Sequence, residues 1–190
     1  MLILLFLMLL FFILVVAGSL VFLELFTFVY TTYLCDAPYL PLDKKNIDLA
    51  LEVLQLSGND VFVDFGSGDG RVLLSALREH GVKRAIGVEK DRYQALKSKI
   101  FLKLRYKGYG TYCVYREDIF RPSTKLLEDL SQITAVYMYL FPSMIDRIYI
   151  QLLEQKRPFR IVCCRYSLSG IPPTSVIKGE EFDSYYYEIG

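Results

Sequence analysis

The sequence predicts an α/β fold: a mostly parallel sheet with helices on both faces, an antiparallel hairpin at one edge, and a transmembrane helix in front. Three observations predict it. From Val61 onward, strand-like and helix-like patterns alternate through five strands. Two consecutive strand-like runs with a polar turn between them then close the chain. At the front, residues 2–23 carry no charge, and 18 of those 22 are Leu, Ile, Phe or Val.

As a helix, Leu2 to Leu23 spans about 33 Å, enough for a hydrocarbon core of roughly 30 Å. Each such residue favours insertion by roughly 0.3–0.6 kcal/mol. Glu24 closes the run, and Phe26, Phe28, Tyr30 and Tyr33 suit an interfacial aromatic belt. A cleaved signal peptide fits less well. No basic residue precedes the run, the run exceeds the usual apolar core of roughly 7–15 residues, and Val15-Val16-Ala17 is a poor cleavage site. Residues 1–34 therefore read as a retained anchor with its aromatic interface. Lys44 and Lys45 follow the span, so the positive-inside rule puts the remainder on the cytoplasmic side, or the matrix side in an organelle.

Residues 35–43 form a Pro-containing linker, "APYLPLD" from Ala37, which the prolines keep extended. Residues 44–190 form one domain. Its first helix runs from Lys44 to about Leu56, with Asp43 as N-cap. "VFVDF" is the first strand, followed by a helix from about Gly70 to His80. "RAIGVE" is the second strand. The helix after it, about Asp91 to Tyr106, has apolar positions at Leu96, Ile100 and Leu104, a spacing of four. "TYCVYRE" is the third strand, with a short helix from about Ser123 to Leu130. "ITAVYMYL", the helix "PSMIDRIYIQLLEQ" and the strand "RIVCCRY" complete the alternation. "TSVIKG" and "FDSYYYEI" are the hairpin, turning at Glu180-Glu181.

Composition narrows the chemistry. Cys35, Cys113, Cys163 and Cys164 form no CxxC pair, so no zinc site is indicated. Three of them lie in apolar strand-like runs, as buried reduced thiols do. The single histidine, His80, sits before Gly81 at a helix end, which leaves almost nothing for histidine-based catalysis. A net charge of +1 gives no support for nucleic-acid binding.

The densest glycine cluster follows the first strand: "VDFGSGDGR", Val63 to Arg71. In an open parallel sheet, ligands bind beyond the carboxyl ends of the strands. The spacing lacks the third glycine of the dinucleotide fingerprint, and no Gly-Lys-Ser/Thr follows, as a Walker loop requires. Asp64 and Asp69 flank the glycines and would repel a phosphate. They suit a cationic ligand without phosphate, and S-adenosylmethionine, with its amine, carboxylate and sulfonium, is such a ligand. Glu89 ends the second strand, where a carboxylate can accept both ribose hydroxyls. Asp118 follows the third strand, placed to meet the adenine amine.

Asp64-Phe65-Gly66-Ser67-Gly68-Asp69-Gly70-Arg71 resembles motif I of seven-β-strand methyltransferases, and Glu89 matches their acidic ribose position. The resemblance is closer to the membrane-anchored protein lysine methyltransferases that modify the ATP synthase c-subunit and the adenine nucleotide translocator, and to their archaeal relatives. Pro38-Tyr39-Leu40-Pro41 resembles their Pro-aromatic-Val-Pro segment. Like them, the chain lacks a regular helix after the fifth strand. Leu42 departs from the small hydroxyl residue common among those relatives. The resemblance implies a Rossmann-like seven-stranded sheet and methyl transfer from S-adenosylmethionine to a protein lysine. It implies a cofactor site of Tyr39, Pro41, Asp64, Gly66, Ser67, Gly68, Asp69, Gly70, Arg71, Glu89, Lys90, Asp118 and Ile119.

A lysine acceptor must lose its proton, a handicap of roughly 4–5 kcal/mol at neutral pH for a group of pKa about 10.4. Desolvation and aromatic walls help. Tyr139, Phe141 and Pro142, after the fourth strand, are the acceptor-site candidates, and alternation puts Tyr137 and Tyr139 on one face. The anchor makes a membrane or membrane-proximal protein the expected substrate. Seven basic residues from Lys90 to Lys107, against Asp91 alone, suit anionic lipid as well as a solvated face. A small-molecule or RNA methyltransferase, and a non-catalytic membrane-anchored module, share the same donor loop as alternatives.

Overall fold

The computed structural model describes residues 2–34 and 42–190; side chains at 27, 28 and 30–34, and the linker expectations at Cys35, Tyr39 and Pro41, lie outside that description. The chain divides into two units, Met1–Leu40 and Pro41–Gly190.

In the first unit, α1 (Leu2–Leu34) is continuous. Its segment Leu2–Phe26 is long and apolar enough to cross a membrane, and none of it is buried within the protein. No polar face offers itself to water, because the apolar residues run all round.

The second unit follows the predicted alternation. In order come α2 (Lys44–Val53), β1 (Val61–Phe65), α3 (Arg71–Arg78), β2 (Arg84–Val88) and α4 (Arg92–Arg105). Then follow β3 (Thr111–Tyr115), α5 (Thr124–Leu130), β4 (Ala135–Met138), α6 (Pro142–Leu153), β5 (Phe159–Cys164), β6 (Ser175–Ile177) and β7 (Ser184–Ile189). The seven strands form one sheet in the order β3-β2-β1-β4-β5-β7-β6. The first five are parallel, and β7 runs antiparallel to both β5 and β6. The hairpin thus extends the β5 side of the sheet.

Caps explain several boundaries. Asp43, Asp91 and Ser123 each accept a hydrogen bond at the third residue of the helix that follows. The first helix stops at Val53, short of Leu56, because Gln55 takes a φ of +47° and reverses the chain. Two apolar layers pack on the sheet. Phe62, Ala85, Ala135, Tyr137 and Val162 meet α2, α3 and α4 on one face. Val63, Ile86, Val136, Met138 and Ile161 meet α5 and α6 on the other. Alternation along each strand sends successive side chains to opposite layers.

Leu96, Ile100 and Leu104 do not face the sheet; each is more than half exposed. The buried face of α4 is Gln94, Ala95, Ser98 and Leu102. The reason is close packing: a Cβ on Gly70 would lie 2.3 Å from Ser98 Oγ. The small side chain of Ser98 admits the glycine loop.

Candidate active site

The strand order reverses between β1 and β4, and the carboxyl ends of the strands there form a crevice suited to a ligand. The loop 66–70 leaves β1 at that point. Gly66 and Gly70 have φ of +81° and +84°, a region closed to most side chains. Gly66 also passes close to the chain after β4, since a Cβ there would lie 2.8 Å from Leu140 Cδ2.

Four of the five backbone donors in the loop 66–70 are committed within the protein. Gly66 and Ser67 N–H both donate to Val88 O, at 2.8 and 3.2 Å. Gly68 N–H donates to Glu89 Oε2 at 2.8 Å, and Gly70 N–H to Ser67 O at 2.9 Å. A phosphate would have to break these bonds, so the loop is no phosphate cradle.

Carboxylates dominate the crevice. Asp64 is 2% exposed and receives no hydrogen bond from the described residues. Burial, then the nearby charges of Glu89 and Asp69, raises its pKa well above the usual carboxylate range. Glu89 is likewise raised, by burial first, against hydrogen bonds from Asp91 and Gly68 that favour the anion. Asp91 N–H bonds its Oε1 at 2.8 Å, and each oxygen keeps a lone pair for a hydroxyl. Asp69 is differently placed. Arg71 Nε and Nη2 grip its carboxylate at 3.0 and 2.8 Å, while Arg71 Nη1 donates to Leu42 O at 2.9 Å. Leu42 is itself a core residue, 7% exposed.

Lys90 Nζ lies 3.4 Å from Asp118 Oδ2, which brings the ends of β2 and β3 together. Asp118 Oδ1 also accepts from Phe120 N–H at 3.0 Å. Ile119 is half-buried against the apolar layer beneath α5 and α6. Ser67 Oγ and Tyr137 OH are buried without a hydrogen-bond partner. A pocket of unpaired carboxylate and buried hydroxyls under the N-terminus of α3 can take a ligand with both a cation and an anion. S-adenosylmethionine fits this donor set.

Tyr137 and Tyr139 do share a face: both pack into the α2–α4 layer. Tyr139 stacks on Phe182 with ring centroids 5.5 Å apart and planes 15° from parallel. The neighbouring Tyr139 hydroxyl raises the Arg165 guanidinium pKa further. Arg165 also holds a φ of +72° with its N–H on Asp183 O at 2.9 Å. Phe141 caps α6 and is 40% exposed, with Pro142 as the first helical residue. Phe182 and Arg165 escaped the sequence reading, because nothing near Tyr139 in sequence signals that the hairpin folds back onto it. The three described cysteines are free thiols, two of them buried, and no described cluster of His, Cys, Asp and Glu could hold a metal.

The chain is similar to known methyltransferases. A protein-lysine N-methyltransferase of Saccharolobus islandicus is 27% identical over 165 residues, 84% of this chain and 98% of its own. A lysine N-methyltransferase of the ATP synthase c-subunit from Xenopus laevis is 25% identical, over 80% of this chain and 64% of the relative. The crystal structure of an RNA methyltransferase from Salinibacter ruber in complex with S-adenosyl-L-homocysteine superposes with a TM-score of 0.70. It is 28% identical, and the match covers 79% of this chain and 94% of that one. The profile of the ANTKMT methyltransferase domain matches residues 64–175, from the first acid of the glycine loop to the start of β6, and the chain belongs to that methyltransferase family.

Proposed function

We propose that the protein transfers a methyl group from S-adenosylmethionine to the side-chain amine of a lysine in a protein, and that this protein is membrane-associated. The likeness to two named lysine methyltransferases across most of the chain carries the proposal. S-adenosylmethionine supplies an electrophilic methyl on a sulfonium.

The chain's own residues bind and orient. Asp64, its pKa held above the usual range by burial and the neighbouring Glu89 and Asp69 charges, would hold the cationic amine. The N-terminus of α3 takes the carboxylate end. Glu89 accepts the ribose hydroxyls and Asp118 the adenine amine. Gly66, Ser67, Gly68, Gly70, Asp69 and Arg71 shape the loop, with Lys90 and Ile119 at its rim. Tyr139, Phe182, Phe141 and Pro142 wall the acceptor side. Arg165 beside Tyr139 disfavours a second cation, which lowers the pKa of an incoming lysine. That matters because only the neutral amine is a nucleophile.

The apolar α1 and the basic run Lys90–Lys107 support a single-pass anchor with the domain held at an anionic surface. Native membranes incubated with labelled methyl donor and the full chain test the reading. Label appears on lysine in a protease-sensitive band. Label released by nuclease instead establishes the RNA reading that the Salinibacter relative raises.

A further inference from the structure

The stripe that α4 turns outward is unusual for a helix over a sheet. Tyr93, Leu96, Ile100 and Leu104 follow at i, i+3, i+7 and i+11, so they line one side. They are 52, 55, 51 and 70% exposed. The side opposite is the buried one, so this stripe is the helix's outermost surface. It forms a shallow groove of ≈ 380 Å³ that also takes in Phe101 and Arg105. The α4 sequence RYQALKSKIFLKLR has five basic residues and no acidic one. Arg92, Lys99 and Lys103 fall along one margin of the stripe and Lys97 along the other. Tyr109, fully exposed, and Lys107 follow just past the helix.

We infer that α4 is an interfacial docking helix: its apolar stripe enters the boundary of an anionic bilayer and its lysines meet the headgroups. Charge and shape select that occupant. An apolar stripe margined only by cations matches a surface with an apolar interior and anionic headgroups. A protein partner would have to offer both features on one face. The same chain carries a helix long and apolar enough to span a bilayer.

The consequence for the active site is geometric. Asp91 caps the start of α4, and its N–H bonds the Glu89 carboxylate. The donor pocket therefore opens at the end of the docked helix, beside the headgroups. The inference deepens the proposed function by adding an orientation, and it rests on that reading for its purpose only.

The sequence has no tryptophan, so a single introduced one is an unambiguous reporter. Full chains carrying Ile100→Trp, or Ile150→Trp on the exposed side of α6, are reconstituted into phosphatidylcholine–phosphatidylserine vesicles with brominated acyl chains. Ile100→Trp loses more than about half its emission, because an interfacial helix buries its apolar face roughly 5–10 Å deep. Ile150→Trp, on the other layer, does not. Adding Lys99→Glu and Lys103→Glu lowers the docked fraction roughly tenfold or more, as two headgroup attractions become repulsions. Leu96→Trp repeats the measurement at a second position. Absence of quenching at both α4 positions overturns the inference. Shielding from aqueous acrylamide then shows that protein covers the stripe; sensitivity to it shows bare water there. Equal quenching at Ile150 overturns it too. Methylation is read separately on native membranes: lysine labelling there without quenching in the vesicles sinks only the docking, and quenching in the vesicles without lysine label on the membranes sinks only the proposed function.

Discussion

The two ends of β1 each hold a buried aspartate, and the two are treated in opposite ways. Asp60, just before the strand, is 6% exposed, and Asp64, near its end, 2%. Asp60 receives Thr134 Oγ1 at 2.6 Å, Ser57 N–H at 2.7 Å and Ser57 Oγ at 2.9 Å. Arg160 pairs with it and reaches back to the carbonyls of Leu54 and Gln55. Burial alone would raise its pKa, but these bonds and the Arg160 charge bring it below the usual value. Asp64 has no such company, and its pKa rises. One end of the strand stores stability; the other keeps an unmet demand that a ligand can meet.

Breaking the satisfied end has the largest effect. Asp60→Ala strands Arg160 and lowers unfolding free energy by about 3–5 kcal/mol, as loss of one partner of a buried pair does. Thermal denaturation reads it, and cofactor affinity of the folded fraction stays near wild type. At the other end the balance inverts. Glu89→Ala weakens S-adenosylmethionine binding roughly 100-fold in calorimetry, since a hydrogen bond to a charged group contributes about 1.5–3 kcal/mol. Its melting temperature moves far less than that of Asp60→Ala.

The pH dependence sharpens the contrast further. A lowered pKa means that Asp60 stabilises above 3.8 and that this contribution fades as pH falls through its folded value. A raised pKa means that Asp64 favours the fold below 3.8 and that this contribution is lost as pH climbs towards its folded value. Asp64→Asn therefore flattens the decline of the cofactor-free melting temperature with rising pH. Saturating cofactor flattens it in the wild type, because its ammonium compensates the ionised carboxylate. A decline that persists in Asp64→Asn would assign the slope elsewhere. The smallest effect belongs to the aromatic wall. Phe182→Leu removes a stacked partner of Tyr139, a contact of about 0.5–1.5 kcal/mol. It lowers kcat/KM towards a lysine peptide several-fold and leaves cofactor affinity unchanged.

The strands and helices of the domain were legible because alternation and periodicity are local. "VFVDF" coincides with β1, and Asp43, Asp91 and Ser123 mark helix starts by their own side chains. Glu89 and Asp118 were legible as acids at strand ends, because parallel topology fixes where those ends point. What was not legible needs tertiary information. A spacing of four in Leu96, Ile100 and Leu104 defines a face without saying which way it turns. The small residues Ala95 and Ser98 were the signal, and it means something only once Gly70 is known to press there. The Asp69–Arg71 grip was hidden for a related reason: two neighbours can pair or point apart, and the Leu42 carbonyl settles which.

That grip also sets how the donor loop relates to whatever precedes it. Arg71 ties Asp69 to the Leu42 carbonyl, and Asp43 caps α2 one residue later. The chain is thus clamped at the threshold of the domain by the loop's own guanidinium. One side chain sets both the shape of the donor loop and the point where the chain enters the domain, so pocket and entry are built together.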